Sequence, residues 1–107
     1  MELEHYTFVL LRRGPRAGSF SDEELDRLQA AHLDHLAAMH ADGSMLVAGP
    51  FSDQPDETLR GFCLFATGPD ETRTLVEADP SVAAGRLEAD VMVWSTRRGA
   101  VSFDQTG

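Results

Sequence analysis

The stretch between Ser21 and Gly43 is marked at both ends as one helix, and this limits what the rest of the chain can do. Ser21 is a residue type that caps the free N–H groups of a first helical turn, and Asp22, Glu23 and Glu24 place negative charge at the positive end of the helix dipole. Ser21 with Glu24 has the spacing of a capping box, and Phe20 with Leu25 that of a hydrophobic staple. Gly43 supplies a stop. The expected helix runs from Asp22 to Ala41. At about 100° per residue, Leu25, Leu28, His32, Leu36 and Met39 fall on one stripe. His32 therefore stands near the centre of the face to be buried, with His35 at its edge and Asp34 and His40 pointing elsewhere.

A histidine in that place must satisfy two ring nitrogens. Two readings fit. It is a core histidine bonded to a carbonyl or a water, or it is the floor of a pocket, held by a carboxylate from elsewhere in the chain.

The other elements follow from local pattern. Glu4 to Leu11 is rich in β-formers and reads as a first strand whose His5 and Tyr6 are ordinary strand residues or reach a pocket. Arg12 to Ser19, RRGPRAGS, is a loop; its three arginines are solvated or bind an anionic substrate. Met45 to Val47 continues into AGPF as a second strand, SDQPDE is a polar connection, and Leu59 to Ala66 is a third strand pairing back on the second. Thr67 to Asp70 opens a second helix, with Pro69 suited to a first helical position, and it runs to about Ala78. Pro80 disfavours helical backbone at Asp79, so the helix breaks there and Ser81 to Gly85 forms one more turn. Leu87 to Ser95 is the last strand. Residues 97–107 form a polar C-terminal tail after a domain spanning 1–96.

The order β-α-β-β-α-β is the ferredoxin-like α+β arrangement, a four-stranded antiparallel sheet with both helices on one face. The strands look apolar on more than one side, so the uncovered face calls for a second sheet and predicts a homodimer.

Bulk composition narrows the function classes. A chain of 107 residues with 42% hydrophobic content makes one modest core. The net charge of −9 disfavours nucleic acid and anionic membrane as partners. All nine bases are arginine, which excludes Schiff-base chemistry on lysine. Cys63 is the single cysteine, in the apolar run GFCLFA, and reads as a small buried hydrophobe. No apolar run has transmembrane length and no signal peptide is expected, so a cytoplasmic location is the default. Dinucleotide, P-loop and HExxH motifs are missing, and no cofactor is expected. A metal would need His32 and His35 with Asp79; the expectation is no metal.

Asp79, at a helix break, is the best carboxylate partner for His32. Three segments give that choice more weight: AHLDHL at 31–36, the glycine-to-AGP run from Gly43 to Pro50, and ADPSVAAG at 78–85. Together with a closing apolar strand carrying Trp94, they resemble the YciI-like, or YCII-related, family over nearly the whole chain. The resemblance implies a dimeric α+β barrel and a His–Asp active-site pair, which motif matching puts at His32 and Asp79. It implies that Gly49 and Pro50 line the same pocket. Some relatives act on small aromatic or lactone-like molecules, including removal of halide from hydroxylated aromatics, and others occur beside regulatory proteins. The RRGPRAGS loop departs from the shorter members and borders the pocket, so a substrate does not carry over.

The expected function is that of a cofactor-independent enzyme of lyase or isomerase type. It would apply general acid/base chemistry to a small molecule by isomerisation, elimination or dehalogenation. Ser81 is a further substrate contact or a cap after Pro80. The alternative is a non-catalytic dimer that binds a small molecule or a protein, with His32 and Asp79 as a buried polar tie.

Overall fold

A computed structural model describes residues 1–103. The strands are β1 (Leu3–Arg13), β2 (Met45–Pro50), β3 (Leu59–Phe65) and β4 (Leu87–Arg97). The helices are α1 (Asp22–Ala41), α2 (Pro69–Glu77) and the short α3 (Pro80–Ala83), with a 3-10 turn at Ala17–Ser19 after β1. The strands form one antiparallel sheet in the order β2-β3-β1-β4, the ferredoxin-like topology expected from the element order.

Local chemistry sets the ends of α1. The Ser21 hydroxyl accepts from the Glu24 N–H at 3.1 Å and the Glu24 carboxylate accepts from the Ser21 N–H at 3.0 Å, so both halves of the capping box form. Gly43 takes φ +86°, the left-handed backbone that ends the helix. At the other break, Asp79 is extended (φ −64°, ψ 124°) ahead of Pro80 and caps α3 by accepting the Ser81 N–H at 2.9 Å.

Strand alternation divides the sheet into two faces. Val9 pairs with Cys63 and Val91, and Thr7 with Phe65, on the side where Met39 of α1 and Val76 of α2 close the core. Both long helices therefore lie on this face. Val9 and Phe65 are fully buried, each stabilising the fold by roughly 1.5–3 kcal/mol relative to exposure. The opposite face carries Tyr6, Phe8 and Leu10 of β1 with Met92 and Trp94 of β4. Phe8 stacks on Phe62 at 5.1 Å and Tyr6 on Trp94 at 6.0 Å, yet Met92 and Trp94 remain 43% and 40% exposed. No helix among the described residues covers this face.

Beyond β4 the chain turns back. Arg98 donates its N–H to the Glu2 carbonyl, and Phe103 packs its edge on Tyr6 at 5.6 Å. The rest of the expected polar tail, 104–107, lies outside the described residues. No helix among the described residues is long and apolar enough to cross a membrane.

Candidate active site

The stripe on α1 puts His32 against the sheet, and the break before α3 puts Asp79 behind it. His32 Nδ1 lies 2.6 Å from Asp79 Oδ2, and the two residues are 7% and 3% exposed. The other carboxylate oxygen, Oδ1, accepts the Ser81 N–H. A carboxylate can only accept, so the bond to Oδ2 assigns the proton to Nδ1 of His32. Ser81 is fully buried, and its hydroxyl donates to the Leu28 carbonyl at 3.3 Å. That bond ties α3 to α1 under the pair. Ser81 is not among the residues that line the cavity, and the side chain that caps α3 is that of Asp79.

His32 also lines a cavity of about 540 Å³ between α1 and the sheet. Nδ1 carries the only hydrogen bond found for the ring among the described residues. Among those residues no sealed-off side-chain nitrogen or oxygen lacks a partner. Nε2 is therefore not sealed from solvent, and His32 is part of the cavity wall. Leu25, Leu33 and Leu36 of α1 and Leu11 of β1 form apolar walls, with Gly49 and Pro50 at the end of β2. At Gly61 on β3 a Cβ would stand 2.5 Å from the Gly49 carbonyl oxygen, so only glycine lets the two strands meet there.

Cys63 lines the same cavity, but burial, and then the negative charge of Asp79, push its thiol up to about 12. It stays protonated near neutrality and is no nucleophile. His35 turns away, its Nε2 bonded to the Leu75 carbonyl at 2.8 Å, and no group of three His, Cys, Asp or Glu side chains able to hold a metal occurs among the described residues. His5 bonds Ser95 and Tyr6 bonds Glu4, both outside the cavity wall.

The family profile of the YCII-related domain matches residues 7–95. The chain belongs to the YCII-related family. Among solved structures, this YCII-related chain is similar to TftG, the 5-chloro-2-hydroxyhydroquinone dehydrochlorinase of Burkholderia phenoliruptrix AC1100, solved in complex with 2,5-dihydroxybenzoquinone. The TM-score is 0.54 at 24% identity, over 87% of this chain and 95% of that one. A provisionally assigned antibiotic biosynthesis monooxygenase from Chloroflexus aurantiacus aligns with TM-score 0.48 at 15% identity, over 94% of this chain and 100% of that one. A search of curated proteins gives no match.

Several cavity residues of this YCII-related chain had escaped the reading of its sequence. Arg60, Arg86, Gln29 and Leu33 all line the wall. The signal for Arg60 was a charge inside an otherwise apolar strand, and for Leu33 an apolar residue off the main stripe; Leu33 is 53% exposed at the rim. The loop expected over Arg12 to Ser19 begins later, since Arg12 and Arg13 continue β1 by pairing with Glu88 and Leu87 of β4; of the three arginines there, Arg13 lines the cavity. Arg12 pairs with Asp90 at 2.7 Å, and Arg16 lays its aliphatic stem along Gly85.

Proposed function

We propose that this chain is a dimeric enzyme that moves protons on a small molecule, with His32 as general base and acid and Asp79 as the residue that positions it. The observation that carries the reading is the short, buried Nδ1–Asp79 bond of a histidine that lines a cavity and whose Nε2 has no hydrogen-bond partner among the described residues and is not sealed from solvent. With Nδ1 protonated and bonded, Nε2 presents its lone pair, and the carboxylate stabilises the imidazolium that forms when Nε2 takes a proton. Departure of a leaving group from the adjacent carbon completes an elimination; return of the proton to a different atom completes an isomerisation. Neither route needs a nucleophile or an external oxidant. The naming of TftG as a dehydrochlorinase holding a dihydroxybenzoquinone supports elimination from a hydroxylated ring.

The uncovered aromatic and aliphatic face of the sheet supports the homodimer, with a second copy's sheet packed on Met92, Trp94 and Phe8.

The test is turnover of a panel of chlorinated hydroxyaromatics and hydroxylated lactones by the wild type and by His32→Leu. A leucine fills the apolar stripe but leaves Asp79 Oδ2 without its donor, so circular dichroism is read beside turnover; in the folded variant the rate should fall on the order of 10²–10⁴-fold, the usual contribution of a general acid/base. A variant that turns over as fast as the wild type would remove His32 from the chemistry. A wild type that binds panel members without converting any would favour the binding-module reading.

A further inference from the structure

The cavity wall has a charge pattern at odds with the chain around it. The protein carries 18 acids and 9 arginines. Yet three of those arginines, Arg13, Arg60 and Arg86, line this one cavity, and no Asp or Glu among the described residues does. Four other arginines are spent in ion pairs: Arg12 with Asp90, Arg27 with Glu23, Arg73 with Asp70 and Arg98 with Glu2. None of the three at the cavity has a carboxylate partner among the described residues.

The backbone brings two of them there. Leu11 pairs with Gly61 but Arg12 pairs with Leu59, so Arg60 is an extra residue on β3, bulged at the cavity end of the strand. Such a bulge re-aims a side chain that regular alternation would send to the opposite face. Arg86 is fixed by the loop after β1. Gly14 donates to the Arg86 carbonyl at 2.7 Å and Arg16 to the Gly85 carbonyl at 2.9 Å. A Cβ on Gly14 would stand 2.2 Å from the Gly85 oxygen, so the loop docks this closely only through glycine. The Arg86 guanidinium then donates to Gln29 Oε1 on α1 at 2.9 Å, with its remaining N–H groups available. Gln29 is three residues from His32 on the same helix face, about 4.5 Å along the axis. A group bound at Arg86 therefore shares the cavity with the histidine.

We infer that the substrate of this site is a small organic anion, its ionised oxygen group bound by Arg13, Arg60 and Arg86 and its apolar body against the leucines of α1, with the reacting atom at His32 Nε2. The inference deepens the proposed function by naming the substrate class, and rests on it for the identity of the reacting atom. Guanidinium forks suit planar oxyanions, and a basic cavity in an acidic protein concentrates anions that the rest of the surface repels.

The experiment is a calorimetric and NMR titration of the full chain with benzoate and with benzamide, its neutral counterpart of the same shape. Benzoate is expected to bind at least about tenfold more tightly, with the advantage shrinking as salt is raised to 0.5 M. Arg86→Gln and Arg60→Gln should each weaken benzoate by roughly threefold to tenfold and leave benzamide unchanged. Arg27→Gln, which removes the same charge from the outer side of α1, should change neither. Equal affinity for the two probes, failure of both to bind, or an equal loss in Arg27→Gln would overturn the inference. Inorganic phosphate competing with benzoate at equal strength would also overturn it, since the apolar body would then contribute nothing. The His32 ring signals in the same samples report on the proton-transfer reading separately. Arginine-dependent benzoate binding with a ring protonated at Nε2 would keep the anion site and remove the base.

Discussion

Asp79→Ala and Asp79→Asn should differ sharply, because Asp79 does two separable things. The alanine removes the acceptor for His32 Nδ1 and the cap on the Ser81 N–H at once. Loss of an N-cap costs about 0.5–2 kcal/mol, and stranding a buried donor costs about 1–3 kcal/mol. We expect Asp79→Ala to lose about 2–4 kcal/mol overall, a drop in Tm of roughly 10–15 °C for a domain of this size. The asparagine keeps its oxygen for the Ser81 N–H and turns its NH₂ toward His32, so its cost should be only about 1 kcal/mol. That NH₂ can only donate, however, so Nδ1 must become the acceptor and the ring proton moves to Nε2. The variant would be nearly as stable as the wild type and inactive as a base. Urea and thermal unfolding give the stabilities. If Asp79→Asn were as unstable as Asp79→Ala, the carboxylate's charge rather than its two hydrogen bonds would be what matters, and the bookkeeping of donors and acceptors around Asp79 would be refuted.

Other outcomes follow from the same structure. The Cys63 thiol, raised from 9.0 to about 12 by burial, should resist iodoacetamide at pH 8 in the folded protein and react once it is unfolded. Its sign in stability is fixed: the folded state holds the proton more tightly, so stability should fall as pH rises from about 9 to about 12, and Cys63→Ala should flatten that fall. Met92→Glu puts a charge on the uncovered sheet face and should yield monomers in sedimentation; a dimer unaffected by it would place the interface elsewhere. Gly14→Ala forces the loop after β1 off Gly85, and should cost about 1–3 kcal/mol together with weaker benzoate binding, as Arg86 loses its anchor.

The parts of the fold governed by near neighbours could be read from the sequence. Ser21, Glu24 and Gly43 bound α1, and the Asp79-Pro80 break lies where proline geometry puts it, because caps and breaks depend on residues a few positions apart. His32 was visible as the polar residue in an apolar stripe. Its bond to Asp79 spans 47 positions; the helix break nominated Asp79, and the family motifs gave that choice its weight. The arginines at the cavity were not legible for a related reason. Arg60 gets there through a one-residue register shift between β1 and β3, and Arg86 through a loop docking on it from 72 positions earlier, Gly14 on Arg86. The side of the sheet that Trp94 takes was open from the sequence; it lies on the face opposite the helices and is 40% exposed. The apolar character of both strand faces pointed to that face, without saying which residues occupy it.

The most direct test of the account is the position of the ring proton on His32, read by long-range ¹H–¹⁵N correlation at a pH where the ring is neutral. The account predicts the proton on Nδ1, donated to Asp79, and a bare Nε2 whose signal moves when benzoate enters the cavity. A proton on Nε2 in the wild type, or an Nε2 signal indifferent to a ligand bound in the cavity, would contradict it.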